Sequence, residues 1–262
     1  KQENIKDICF NISKDIILPK YKNLQDYDIN YKNGKDLVTT ADIAAEKALK
    51  KNLLKIIPTA NFIGEEEYAI NQSILDSYND NNYCWTVDPI DGTTNFVKGK
   101  DMFAIMIALT HKNEILYSWI YKPLTEEMCF AIKNEGSFIN DKKINTKGVS
   151  KLKNAIGSIS TKYWEGDYLN RLKILKNNFA YVGSYGCIGF EYIDIALGKR
   201  NFAILSKLSP WDHIPGILFL RESGGSDIDF NYKKYDFTNV NKNLVIGNSK
   251  EFNLQILKKL GE

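Results

Sequence analysis

The chain has 262 residues, enough to bury an ordinary core in one large domain or in two halves sharing an interface. Apolar residues make up 44% and charged residues 26%, and no apolar run approaches the ~18 residues that a membrane-spanning helix needs. Lys and Arg number 35 against 32 Asp and Glu, and the lysines are scattered, which argues against a nucleic-acid surface.

In chain order, Lys1 to Phe10 is polar and amphipathic rather than signal-like. Ile5, Ile8, Cys9, Ile12 and Ile16 share one helical face and predict a helix from about Glu3 to Pro19. Residues 23–36, polar and containing Gly34, read as a mobile loop. Thr40 is placed to cap a second helix, whose small face is Ala41, Ala44, Ala45, Ala48 and Leu49 and which ends before Pro58. Asn61 to Ile63 forms a short strand stopping at Gly64, and residues 69–82 read as a surface linker. Tyr83 to Val87 is aromatic and β-branched, hence a strand leading into Asp88. Phe103 to Thr110 and Ile115 to Tyr121 predict a hairpin, and Met128 to Ile132 with a turn at Gly136 continues an antiparallel meander. Beyond about residue 150, short strands at 156–160, 181–182, 202–205 and 244–246 alternate with helical stretches at 166–177, 186–198, 211–223 and 249–260. The chain therefore reads as one unit over 1–262, with an α+β half to about 148 and an α/β half from about 149.

The most informative stretch is Asp88-Pro-Ile-Asp-Gly-Thr-Thr-Asn-Phe96. Two carboxylates sit three residues apart beside a glycine and two hydroxyls. Mg²⁺ prefers such hard oxygens and is usually held by one or two carboxylates together with substrate phosphate. Two further acidic clusters lie at element ends: Gly64-Glu65-Glu66-Glu67 and Ser209-Pro-Trp-Asp212. A two-metal site draws ligands from several segments, which these clusters supply. Each also has a plain reading. Glu65 to Glu67 is a solvated charge run, Asp-Pro and Asp-Gly are turn formers, and Ser209 to Asp212 is a good helix start. Their joint occurrence favours the metal reading. Gly92 lets backbone approach a ligand, and the amides after it can bind phosphate if a helix starts there. Thr93 can orient a water. Lys35, Asp36, Thr39 and Asp42 form a fourth polar group, in which Asp42 also reads as a first-turn acid of the second helix. His213 points about 100° away from Asp212 on a helix and is left out of the metal set. His111 reads as a hairpin-tip residue. With two histidines and four dispersed cysteines (Cys9, Cys84, Cys129 and Cys187), a zinc site is not expected and the thiols read as reduced and cytoplasmic.

Together these residues resemble the inositol monophosphatase family, within the fructose-bisphosphatase-like phosphatases. The signatures are Phe62-Ile-Gly-Glu-Glu66, the nonapeptide at 88–96, Pro210-Trp-Asp212, Gly216, Glu222-Ser-Gly-Gly225 and Asp36-Leu-Val-Thr-Thr-Ala-Asp42. The resemblance covers nearly the whole chain and implies a mixed α/β five-layer αβαβα sandwich. It implies two to three Mg²⁺ ions: Glu65, Asp88 and the Ile90 carbonyl hold the first, Asp88, Asp91 and Asp212 the second, and a weaker third lies near Glu65. Thr93, backed by Asp42, would position the water, with Glu65 helping to take its proton. The Gly92 and Thr93 backbone would hold phosphate, and Gly183 to Ile188, including Gly186 and Cys187, would form part of the substrate wall. A lithium-sensitive homodimer with a small phosphorylated substrate follows from the same resemblance, whereas the expectations of a cytoplasmic protein, no nucleic acid and no membrane rest on the cysteines, the scattered lysines and the lack of a long apolar run. One departure stands out. Inositol-hydrolysing members carry a glutamate seven residues before the last metal aspartate, where this chain has Leu205. Leucine cannot accept that hydrogen bond, which counts against myo-inositol phosphate itself. A 3′-phosphonucleotide phosphatase is the alternative, ranked lower because those members carry lysine and glutamate where this chain has Thr94-Asn95. A non-catalytic member that contacts RNA or the transcription machinery is the alternative from another class.

Overall fold

The strand Ala104–His111 is buried along nearly its whole length, so both of its faces need cover. A computed structural model shows what supplies it, describing residues 2–32, 36–149, 151–160, 162–164, 166–238 and 243–261. Seven strands form one sheet in chain order: β3 (Asn61–Gly64), β4 (Cys84–Asp91), β5 (Ala104–His111), β6 (Glu114–Lys122), β7 (Glu127–Ile132), β8 (Gly136–Ile139) and β9 (Lys142–Ile144). Only the β3–β4 pair is parallel; the rest is the predicted meander. Along β5, Ile105, Ile107 and Leu109 pack with α1 (Gln2–Ile12) and α2 (Thr40–Ile56), while Ala104, Met106 and Ala108 join a different core.

That second core contains α6 (Ile188–Ala196) and α7 (Pro210–Glu222). Beyond it lies a second sheet of β10 (Ile156–Ile159), β11 (Tyr181–Val182), β12 (Phe202–Leu205), β13 (Ser226–Asp229) and β14 (Leu244–Gly247), in the order β11-β10-β12-β14-β13. The period-2 rule again sorts the side chains. Ala203 and Leu205 face α6 and α7, whereas Phe202 and Ile204 face α5 (Asp167–Leu175) and α8 (Lys250–Gly261). The layers are thus α1/α2, sheet, α6/α7, sheet, α5/α8, the five-layer αβαβα arrangement. Caught between two sheets, α7 is apolar on every side, with Trp211, Ile214, Ile217, Leu218, Phe219 and Leu220 all buried. Gly216 lets α6 approach, because a Cβ there would collide with the Tyr192 ring.

Several local expectations need correction. Within 23–36 the chain forms a short 3₁₀ turn at Asp26–Asp28 and then β1 (Ile29–Lys32), which pairs antiparallel with β2 (Asp36–Thr39). Gly34 and Lys35 lie outside the described residues. The first helix is α-helical to Ile12 and continues as a π-helical turn over Ser13–Ile17. The cap of α2 is Thr39, not Thr40: its hydroxyl accepts the amides of Ala41 and Asp42 while Asp42 reaches back, a complete capping box. The 69–82 segment is no mere linker, since Glu65–Ile70 forms α3 and Gln72–Asn79 a 3₁₀ helix. Its Tyr78 is buried, 2.7 Å from the Thr86 hydroxyl and 5.0 Å from the Phe237 ring.

Candidate active site

Strand β4 runs through the Asp-Pro-Ile-Asp sequence rather than ending before it. In a regular strand, residues three apart point to opposite faces. Here Asp88 pairs with Met106 but Asp91 pairs with Ala104, so three steps on β4 match two on β5. This bulge, which spans Pro89 and Ile90, restores Asp91 to the Asp88 face, the one turned toward α6 and α7. Pro89 suits such a position, because a bulge does not need its missing amide proton. Asp88 Oδ1 accepts the Ile90 amide at 2.9 Å and pins the bend.

Glu65 arrives from the β3–α3 junction. The side chain of Glu46 on α2 accepts the amides of Glu66 (2.7 Å) and Glu67 (2.9 Å), capping α3 from a distant segment. Gly64 makes room, since a Cβ there would overlap the Glu46 carboxylate. Asp212 lies in the first turn of α7, where Ser209 makes no side-chain cap and Asp212 does not complete a capping box. Instead, oxygens of Glu65, Asp88 and Asp212 all lie within 4.8 Å of one another. Asp91 belongs to the same face but spends its oxygens on the start of α6: Oδ1 accepts the Ile188 amide (3.1 Å), and Oδ2 accepts the Gly189 amide (2.6 Å) and the Cys187 thiol (2.9 Å).

Gly92 begins the short helix α4 (Thr93–Val97) with φ at 89°, and a Cβ there would lie 2.9 Å from the Met102 carbonyl. The Thr93 hydroxyl is 3.1 Å from Asp42 Oδ1 and 3.0 Å from the Ile90 carbonyl. Asp42 therefore fills both positions open to it, since its Oδ2 accepts the Thr39 amide (2.8 Å) and hydroxyl (2.5 Å). The Asn95 amide ties this helix to the Met102 and Tyr185 carbonyls at 2.8 and 2.9 Å. Gly186, Cys187 and Leu205 line one cavity together with Asp212. His213 is buried with both ring nitrogens engaged, by the Tyr192 hydroxyl (3.0 Å) and the Lys207 carbonyl (2.9 Å). His111 ends β5 and stacks on Tyr83 at 4.5 Å.

Two residues of this neighbourhood escaped the sequence reading. Glu46 could have been found as an acid four residues after Asp42 on the apolar face of α2. Lys32 Nζ lies 2.8 Å from Glu65 Oε1 and 2.7 Å from Glu66 Oε1, and nothing in its local sequence marks it.

A sequence profile of the inositol monophosphatase family matches residues 5–262. The chain belongs to that family. It is 30% identical over 213 residues to an inositol-1-monophosphatase of Rhizobium meliloti, covering 80% of this chain and 78% of that one. It is 29% identical over 244 residues to a Nus factor SuhB of Pseudomonas aeruginosa, covering 91% and 88%. The crystal structure of the extragenic suppressor protein suhB from Bartonella henselae superposes with a TM-score of 0.86 at 25% identity, over 100% of this chain and 98% of that one.

Inositol monophosphatase family members are generally metal-dependent, and the donor set here fits a hard divalent cation. Three carboxylates crowd together, and burial compounded by their mutual repulsion raises Asp88 and Asp212 above the usual carboxylate range. Burial likewise raises Asp91, and carries Asp42 up to about 6 against the pull of its Thr39 bonds. Such a cluster needs protons or a cation. These acids titrate near 4 in an unfolded chain. Between that value and their raised folded values, the native state holds protons that the unfolded state has lost. Their contribution therefore destabilises the metal-free fold as pH rises from about 4 through 6 and above. Scanning calorimetry should show the stabilisation by Mg²⁺ growing over that range. At a concentration ~100 times its Kd, a bound ion adds about 2.7 kcal/mol. A Mg²⁺ increment that is flat with pH would contradict this account of the cluster.

Proposed function

We propose that the chain is a Mg²⁺-dependent phosphomonoesterase acting on a small phosphorylated alcohol. The observation that carries this reading is the meeting of Glu65, Asp88 and Asp212 within 4.8 Å, contributed by three separate segments. In this reading Glu65, Asp88, Asp91, Asp212 and the Ile90 carbonyl hold two to three Mg²⁺ ions. Bound there, the cations supply positive charge to the phosphoryl and leaving oxygens. Asp91 joins them through whatever lone pairs its bonds to α6 leave.

The remaining work falls to the chain's own groups. Asp42, fixed through Oδ2 by Thr39, presents Oδ1 to the Thr93 hydroxyl. With its proton directed at Asp42 or the Ile90 carbonyl, the Thr93 oxygen offers lone pairs that orient a water for in-line attack on phosphorus. In the same reading Glu65, whose Oε1 also accepts from Lys32, takes the proton that this water releases. Backbone amides at Gly92 and Thr93, at the open start of α4, hold a phosphoryl oxygen. Gly186 and Cys187 form the wall that the leaving group meets. A homodimeric, lithium-sensitive and cytoplasmic protein belongs to the same reading. Among the described residues no helix is long and apolar enough to cross a membrane.

The deciding experiment is phosphate release from a panel of inositol phosphates, sugar phosphates, histidinol phosphate and adenosine 3′,5′-bisphosphate, with Mg²⁺ and with excess EDTA. The expected result is release that depends on Mg²⁺, with myo-inositol phosphates poor because Leu205 stands where an acceptor is needed. Preference for the adenosine compound would favour the 3′-phosphonucleotide alternative. A second reading, contact with RNA or the transcription machinery, draws on the SuhB relative. Salt-sensitive RNA binding without any Mg²⁺-dependent phosphate release would select it.

A further inference from the structure

Residues 183–187 join β11 to α6 without regular secondary structure, yet they bound one side of the cavity beside Asp212, which measures about 240 Å³. Ser184 and Gly186 line it, and Tyr185 between them does not. Among the described residues, the one backbone bond from this stretch to the sheet is the Gly183 amide donating to the Gly157 carbonyl at 3.0 Å. Side chains supply the rest of the hold, and they gather on Tyr185. Its amide donates to Glu191 Oε1, its carbonyl accepts the Asn95 amide, and its hydroxyl donates to Asp194 Oδ2, each at 2.9 Å. The Arg200 guanidinium lies over its ring, 4.2 Å from the centroid. Arg200 also donates to the Gly183 carbonyl and brings Nε within 2.8 Å of Glu191 Oε2. That last contact is ionic rather than a hydrogen bond, because the N–H does not point along it. One guanidinium thus touches the wall at two residues, together with the acid that holds the Tyr185 amide.

Stability alone does not account for this arrangement. The Arg200 and Glu191 side chains are 3% and 2% exposed, and a buried ion pair gains little over apolar side chains of the same volume. A planar, delocalised cation can stack on a ring and donate from its edge at once, which a lysine ammonium cannot. The base of the side chain is fixed as well. The Arg200 amide donates to the Asp194 carbonyl at 3.0 Å, across a turn in which Gly198 has φ at 72°. The far end of the wall is held separately, since Asp91 accepts the Cys187 thiol and the first amides of α6. We propose that Arg200 is a positioning residue. Through Tyr185 and Gly183 it sets where Ser184 and Gly186 stand, and so how closely the wall meets a leaving group, without lining the cavity itself. This role rests on the phosphatase reading for its kinetic consequence and not for its structural one.

Two measurements on the full chain keep those consequences apart. Hydrogen exchange is compared among the parent, Arg200→Met and the double variant Arg200→Met/Glu191→Gln. The double variant leaves neither member of the pair buried with an unpaired charge and keeps an oxygen for the Tyr185 amide, which guards against a fold lost to the single change. In either variant, exchange at 183–186 should quicken by about tenfold, the scale of one stacked or charge-assisted contact, with α5 and α8 unchanged. In kinetics with Mg²⁺, KM for glycerol 2-phosphate should rise by about the same factor, while kcat and inhibition by inorganic phosphate stay near those of the parent. Tyr185→Leu should reproduce this pattern, and Tyr185→Phe, which keeps a ring beneath Arg200, should show less of it. Unchanged exchange at 183–186 in both Arg200 variants overturns the proposal. So does an equal quickening in α5 and α8, or a fall in kcat and phosphate affinity with KM unmoved, since either marks a general structural loss. If the parent releases no phosphate from any ester, the phosphatase reading fails, and the exchange comparison alone decides the role of Arg200.

Discussion

Asp88→Asn should lower Mg²⁺-dependent phosphate release by about a thousandfold or more while leaving the fold intact. Removing one charged ligand from a metal centre withdraws several kcal/mol of transition-state stabilisation, and each ~1.4 kcal/mol is tenfold in rate. Asparagine has nearly the shape of aspartate and keeps an oxygen for the Ile90 amide, so the bulge in β4 survives. What it removes is the negative charge between Glu65 and Asp212. The same change relieves like-charge repulsion in a buried position. The metal-free variant should therefore melt at or above the temperature of the metal-free parent, with a smaller gain on adding Mg²⁺. Steady-state kinetics and scanning calorimetry on one preparation read both effects. Turnover near that of the parent would remove Asp88 from the reaction.

Thr93→Ala should lower kcat by about a hundredfold, within the usual span for a group that positions or assists proton transfer, with a smaller change in KM. Thr93→Ser keeps the hydroxyl and should recover most of the rate. Asp42→Asn should behave like Thr93→Ala in kinetics, because the two act through one hydrogen bond of 3.1 Å. The double variant should then lose little beyond either single one. Asp42→Asn should also cost about 1 kcal/mol of stability by weakening the capping box with Thr39, which Thr93→Ala leaves untouched. Fully multiplicative losses in the double variant would show that the two side chains act separately.

Much of this architecture was legible in the residue pattern because the signal was local. The meander announces itself through buried runs separated by Lys-Asn and Gly turns, and the α/β alternation after residue 150 through short apolar strands between helical stretches. What stayed hidden depends on partners remote in sequence. Helix α3 lacks a cap of its own, since Gly64 has no side chain and the cap is Glu46 on α2. The β1–β2 hairpin has no alternating face, and its residues Asn30 and Tyr31 are exposed. Strand β13 hides behind polar letters. Its Asp227 is satisfied by Arg221, and Asp229 accepts the amides of Asn231 and Lys233. The spacing of Asp88 and Asp91 is instructive in the opposite sense. Plain strand parity sends them to opposite faces, and only the surplus residue of the bulge, unmarked except by Pro89, brings them together. The carboxylate set was readable as chemistry, then, while the backbone device that assembles it was not.

Asp91 has two employers. The carboxylate that the proposed function offers to a cation anchors the first amides of α6, and α6 belongs to the central layer of the sandwich. In the proposed function, ion occupancy and the seating of that helix would therefore be thermodynamically linked. Because these anchoring bonds are complete without an ion, any cation that Asp91 accepts must share its oxygens with the Ile188 and Gly189 amides, and chelator should leave hydrogen exchange at 186–190 as slow as in the ion-free protein.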